Sequence, residues 1–217
     1  MTLKAAIFDL DGVIVDTVPL HFKAWQSMFS EYGKSFTFED YKQKVDGIPR
    51  LAGCRAVLTD VSEDVIKEAS DKKQGYYEEQ LKQEGVTVYD TTIKLIKEIL
   101  SAGIKTAVVS SSKNCPLILE KTNIADLFEV RLSGHDIVKG KPDPQIFLMA
   151  AQKLNVEPKD CIVFEDAVLG VEAGKRAGMK CVGIDRDKKP HLLKEADIVV
   201  EDLSELDLAK LQTISKK

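Results

Sequence analysis

The stretch Ala5–Thr17, AAIFDLDGVIVDT, ends an apolar run in two aspartates, Asp9 and Asp11, separated by one leucine and followed by Gly12. Ala-Ala-Ile-Phe reads as a strand covered on both faces, where ionised carboxylates are almost never found without compensation. The strand period of two turns both aspartates to one side and Leu10 back into the core, and Gly12 permits a sharp turn. That arrangement points to a cation, to phosphate chemistry, or to both. Other chemically capable residues stand at or beyond further strand ends: Ser110 after TAVV, Glu165 and Asp166 after CIVF, and Lys141 in the loop KGKPDP. Carboxylate oxygens suit Mg²⁺, which is often held by one or two carboxylates together with a substrate phosphate.

These residues need a frame that brings them together. From Val86 onward TTIKLIKEILSAG precedes TAVVSSS, DPQIFLMAAQKLNV precedes CIVFEDA, AVLGVEAGKRAG precedes KCVGID, and ADIVVEDL precedes a terminal helix. Helix alternating with β-rich strand is the pattern of βαβ units, so the expected class is α/β with a Rossmann-like parallel-sheet core. In such a sheet all strand C-termini lie on one side, and residues distant in sequence converge there. Between Thr17 and Gly85 the segments HFKAWQSMFSEYG, TFEDYKQKVDG, LAGCRAVLTD and SEDVIKEASDKKQGYYEEQLKQEG are all helical in period, with Gly33, Gly47 and Gly85 as stops. The expected organisation is a core of residues 1–15 and 87–217, with an α-helical domain of residues 16–86 inserted after the first strand.

Composition narrows the partners. With 217 residues, 44% of them hydrophobic, the chain can bury a full α/β core. A formal net charge of -4 argues against a nucleic-acid partner, which requires a concentrated basic face. The 4 cysteines, Cys54, Cys115, Cys161 and Cys181, form no CxxC pair and suggest neither a zinc site nor a disulfide framework. No apolar stretch is long enough for a signal peptide or a membrane span. A cytoplasmic monomer acting on a small phosphorylated metabolite is expected.

DLDGVIVDT resembles the first motif of the haloacid dehalogenase superfamily of phosphotransferases. VVSSS resembles its second, Lys141 in KGKPDP its third, and FEDAVLGVEAGKRAGM its fourth, in the family's order and across almost the whole chain. The resemblance implies that Asp9 is a nucleophile forming an aspartyl-phosphate and that Asp11 is the general acid and base. It further implies an Mg²⁺ site made by Asp9, the Asp11 backbone carbonyl, Asp166 and, in support, Glu165. Ser110 and Lys141 would hold the oxygens of the transferred phosphoryl group.

The insertion resembles the substrate-selecting cap of the β-phosphoglucomutase-like group within that superfamily. By this resemblance DTVPLHFKAW brings His21 and Trp25 near the site, and DGIPR brings Gly47 and Arg50. SSSKN supplies Ser112, Lys113 and Asn114 for a second phosphate, and Lys72 in DKKQGYY falls near a cap lysine of the mutases. The mutases carry a lysine before the cap glycine in a KGxxR pattern, whereas here Asp46 precedes Gly47. An anion there should weaken retention of a sugar bisphosphate, so hydrolysis of a small sugar phosphate is the expected reaction. The alternative is a β-phosphoglucomutase interconverting β-glucose 1-phosphate and glucose 6-phosphate. A phospho-accepting receiver module also combines aspartates, a hydroxyl, a lysine and Mg²⁺, but places its aspartate later in the sheet and lacks a long helical insertion.

Overall fold

The computed structural model describes residues 3–46, 48–186, 188 and 190–216. In chain order its first elements are β1 (Ala5–Asp9), β2 (Val15–Asp16), α1 (Val18–Glu31), α2 (Phe38–Asp40), α3 (Arg50–Val57) and α4 (Glu63–Glu84). There follow β3 (Thr87–Val88), α5 (Asp90–Ser101), β4 (Lys105–Val109), α6 (Cys115–Thr122), β5 (Val130–Leu132) and α7 (Gln145–Leu154). The chain ends with β6 (Cys161–Glu165), α8 (Val168–Arg176), β7 (Lys180–Ile184), β8 (Ile198–Val200) and α9 (Leu208–Lys216). Among the described residues no helix is long and apolar enough to cross a membrane.

The chain divides into two compact units, Met1–Asp16 with Thr87–Lys217, and Thr17–Val86. In the first unit the strands form a six-stranded sheet in the order β5-β4-β1-β6-β7-β8, every pair parallel. Every residue of β1 and β6 is buried, as strands covered on both faces require. Ile7, Val109, Phe147 and Val163 belong to one apolar cluster, in which α7 and α8 cover a face of the sheet. Register decides where the chemistry goes. Asp9 lies opposite Val109, and Phe8 lies opposite both Val108 and Phe164, so the residues next along β4 and β6, Ser110 and Glu165, emerge beside Asp9. The βαβ reading therefore holds for the core. Asp16 pairs with Thr87 in a short antiparallel ribbon of the first unit, one residue beyond the boundary expected from the sequence.

The second unit is helical throughout its described elements. Trp25, Met28, Phe29, Phe36, Tyr41 and Ile66 form its core, with α1 packed on α4. Ser62 caps α4, accepting a hydrogen bond from the Val65 amide (3.4 Å), and acidic Glu63 and Asp64 in the first turn complement the helix dipole. Gly85 ends that helix with φ +73, a conformation glycine adopts without strain. The segment TFEDYKQKV departs from a plain helix. After one α-helical turn it widens into a π turn, Tyr41–Val45, closed by the Asp46 amide on the Tyr41 carbonyl.

Candidate active site

Asp9 closes β1 and is 6% exposed, so its carboxylate sits at the edge of the core rather than in free solvent. The ammonium of Lys141, arriving from the loop before α7, donates to both Asp9 Oδ1 and Glu165 Oε1. Glu165 is fully buried, and its second oxygen accepts from the Ala167 amide at 3.2 Å. Its carboxylate lies against the backbone of Gly170, where any side chain would collide with it. Gly12 has φ +75, and its backbone lies just as tightly against the carboxylate of Asp166. Both acidic groups are thus seated by a glycine that leaves them room. Asp11 Oδ2 accepts from the Ser110 hydroxyl at 3.0 Å, and the same hydroxyl oxygen accepts from the Ser112 amide at 3.0 Å.

Oxygens of Asp9, Glu165 and Asp166 all lie within 4.8 Å of one another. Burial pushes the Asp9 carboxyl well above its usual range; Lys141 opposes that shift, while Glu165, Asp11 and Asp166 add to it. Asp166 is an exposed residue whose carboxyl nonetheless faces this acidic group, and it is pushed up to about 8 by desolvation and then by Glu165. Lys141 loses by its burial but is held above its usual range by Asp9 and Glu165. Several carboxylates thus share one ammonium. An oxygen-rich cluster short of positive charge is what a hard divalent cation satisfies, and Asp9, Glu165 and Asp166 fit such an ion. The side chain of Asp11 stands apart from that group, on Ser110.

Beyond Ser110 the chain folds into a turn of stacked polar contacts. Ser112 Oγ accepts from the Asn114 amide at 3.1 Å, and the Ser112 carbonyl accepts from the Gly134 amide at 3.1 Å. Asn114 is buried at the N-cap of α6, whereas Lys113 is exposed. The three residues expected to receive a second phosphate therefore lie together, directly after Ser110.

The cap residues separate into two groups within the second unit. Lys73, only 1% exposed, donates to Nδ1 of His21 at 2.7 Å and lies over the rings of Trp25 and Tyr77 at 5.2 and 5.0 Å. His21 stacks on Tyr77 at 4.4 Å, and Arg50 donates to the Ser70 carbonyl at 3.1 Å. Lys72 lies elsewhere, ion-paired with Glu31 at 2.8 Å and Glu68 at 3.0 Å. Lys72, expected near the substrate from the resemblance, is therefore outside this cluster, and its neighbour Lys73 is in it. The buried face of α4 runs Ile66, Ala69, Ser70, Lys73, Tyr77, Leu81, a spacing of three and four that includes Lys73 and omits Lys72. Trp25 is 3% exposed and packs against Phe29 in the apolar core while also facing Lys73. Gly47 lies outside the described residues. Asp46 accepts from Lys42 Nζ at 2.8 Å and from the Tyr41 hydroxyl at 3.0 Å, so its charge is matched from one turn earlier.

Burial, then Lys73 and Arg50, hold His21 well below its usual pKa. A histidine kept neutral in the fold contributes stability that is present above its unfolded pKa of about 6.5 and is lost as pH falls below it. The wild type should therefore lose about 1.4 kcal/mol per pH unit below about 6.5 relative to His21→Gln, until His21 itself protonates. Urea melts of both proteins at mildly acidic and at neutral pH measure this, and parallel pH dependences would contradict a neutral His21.

Comparison with known proteins agrees with this geometry. A family model described as haloacid dehalogenase-like hydrolase matches residues 6–184. The chain is 35% identical over 218 residues to β-phosphoglucomutase of Bacillus subtilis, covering 96% of this chain and 94% of that one. It is 33% identical over 186 residues to the phosphorylated carbohydrates phosphatase of Thermotoga maritima, covering 82% and 83%. The crystal structure of β-phosphoglucomutase from Clostridium difficile matches with a TM-score of 0.83 at 29% identity, over 99% of this chain and 98% of that one.

Proposed function

Because the chain belongs to the haloacid dehalogenase-like hydrolase family, we propose that it transfers the phosphoryl group of a small sugar phosphate to Asp9 and then to water. The observation that carries this reading is the convergence of Asp9, Lys141, Glu165 and Asp166, with Asp11 hydrogen-bonded to Ser110 beside them. Asp9 attacks phosphorus, the bond from phosphorus to the sugar oxygen breaks, and Asp11 gives that oxygen its proton. In the second half Asp11 takes a proton from water as water attacks phosphorus, which releases inorganic phosphate and restores the Asp9 carboxylate. Lys141 and Ser110 hold phosphoryl oxygens, and the Ser110 hydroxyl also orients Asp11. Mg²⁺ would be held by Asp9, Asp166 and Glu165 with the Asp11 carbonyl, and would supply the positive charge that the cluster needs to receive a phosphate dianion.

In the core the remainder of the substrate falls to Ser112, Lys113 and Asn114; in the second unit Arg50, His21 and Lys73, with Trp25 beside Lys73, are the candidates for an anionic sugar. A guanidinium fork and a buried ammonium suit an anionic sugar. Lys73 is better placed than Lys72 for the part that the resemblance implies for a cap lysine, since the Lys72 ammonium pairs with Glu31 and Glu68.

One observation favours the mutase as a second reading. Pairing with Lys42 offsets part of the repulsion that Asp46 brings to a bisphosphate. Phosphorus NMR on β-glucose 1-phosphate, with and without added glucose 1,6-bisphosphate, separates the two. Accumulating inorganic phosphate supports hydrolysis, and bisphosphate-dependent glucose 6-phosphate supports the mutase. If a broad panel of sugar phosphates yields neither, the proposed substrate class is wrong.

A further inference from the structure

Arg186 lies two residues beyond β7 and belongs to no motif, yet its side chain reaches the loop that carries Asp11. Its Nε donates to the Gly12 carbonyl at 3.1 Å, and its Nη1 donates to Asp202 Oδ2 at 2.8 Å. The guanidinium lies over the ring of Tyr89, 3.6 Å from its centroid. Asp202 is fixed in turn, because the same oxygen accepts from the Thr91 hydroxyl at 2.9 Å and its other oxygen accepts from the Ser204 amide at 2.9 Å.

Three successive carbonyls of the catalytic loop are held from outside it. Gly12 O accepts from Arg186, Val13 O accepts from the Thr92 hydroxyl at 2.8 Å, and Ile14 O accepts from the Tyr89 amide at 2.9 Å. Only the first of these donors carries a charge, and it acts at the residue with the greatest backbone freedom. Gly12 has no side chain to restrict the peptide that follows it, and the Gly12 residue alone separates that peptide from Asp11. A charge-assisted hydrogen bond from a planar donor, itself stacked and ion-paired, fixes the orientation of that peptide.

We propose that Arg186 is a positioning residue that acts through Asp11: by gripping the Gly12 carbonyl it holds the acid and base group in register with the transferred phosphoryl, and Asp202 and Tyr89 hold Arg186. This rests on the acid and base role of Asp11 in the reading above.

The test is a double-mutant cycle of Arg186→Met and Asp11→Asn, assayed by phosphate release from an alkyl phosphate, with each protein's melting temperature recorded. Methionine keeps an apolar stem over Tyr89 and removes the donors. Arg186→Met is expected to lower kcat about 10- to 100-fold, the scale of a misplaced catalytic group, with KM unchanged within about twofold. In the Asp11→Asn background the same substitution should change kcat by less than about twofold. With p-nitrophenyl phosphate, whose leaving group needs no proton, the burst of nitrophenolate should be nearly unaffected by Arg186→Met. Equal losses in both backgrounds, or no loss in either, would overturn the positioning role. An Asp11→Asn enzyme as active as the wild type would instead overturn the role of Asp11 itself. Should Arg186→Met fail to fold, Asp202→Asn carries the same cycle, since asparagine can keep the bond to Ser204 while losing the charge that holds Arg186. It is expected to repeat the pattern at smaller size, and an additive effect there overturns the proposal equally.

Discussion

Asp9→Asn is expected to lower the rate of phosphate release by about 10⁴-fold or more while the protein remains folded. The asparagine has the shape of the aspartate but not its nucleophilic charge. Its neighbours make the loss more complete, since Lys141 spans Asp9 and Glu165 and would still be held by the buried glutamate. The remaining cluster is therefore able to bind phosphate without accepting its phosphoryl group. Circular dichroism and a melting curve check the fold, and rates at enzyme concentrations high enough to see a single turnover check the chemistry. Substantial turnover by a folded Asp9→Asn protein would remove Asp9 from its assigned role.

The second large effect concerns the metal. Chelation of divalent cations is expected to lower activity by about 10³-fold or more, the loss of several kcal/mol of charge stabilisation. Asp166→Ala should raise the Mg²⁺ concentration for half-maximal rate by about 10- to 100-fold. The physical cause lies in the electrostatics of the cluster, in which burial and neighbouring carboxylates hold Asp9 and Asp166 protonated above their ordinary range. A cation must displace those protons, so the Mg²⁺ requirement should also rise as pH falls. Titrations of activity against Mg²⁺ at two pH values measure all three effects. Full activity after exhaustive chelation would contradict the metal site.

Much of the core is legible in the sequence for a simple reason. A strand buried on both faces must be apolar along its length, so a carboxylate at the end of such a run stands out, as Asp9 does after AAIF and Glu165 after CIVF. Parallel register then brings the two together without further information. The edge strand β5 is less legible, because it has three residues and exposes Arg131, so it offers neither length nor an apolar run. The π turn at Tyr41–Val45 is invisible to a period of 3.6, since a single wide turn of five residues is too short to shift the apolar pattern.

Side-chain partners are harder to read than elements. Lys42 stands four residues before Asp46, so their pairing was available from helical spacing, and it changes the electrostatic weight of that aspartate. Choosing between Lys72 and Lys73 required the phase of a 22-residue helix, which its sequence contains but which a motif comparison overlooks. Arg186 offered no local signal at all. Its partners at Gly12, Tyr89 and Asp202 are scattered through the chain, and only the sheet order and the connecting ribbon bring them to one place.

The central claim is that a phosphoryl group resides on Asp9 between two transfers, and borohydride reduction during turnover tests it most directly. The reagent converts an aspartyl-phosphate to homoserine, which mass spectrometry locates within the peptide containing AAIFDLDG. Homoserine at residue 9 is expected, dependent on both Mg²⁺ and substrate and lacking in Asp9→Asn. Turnover that leaves residue 9 unreduced while labelling another carboxylate, or none, would contradict it.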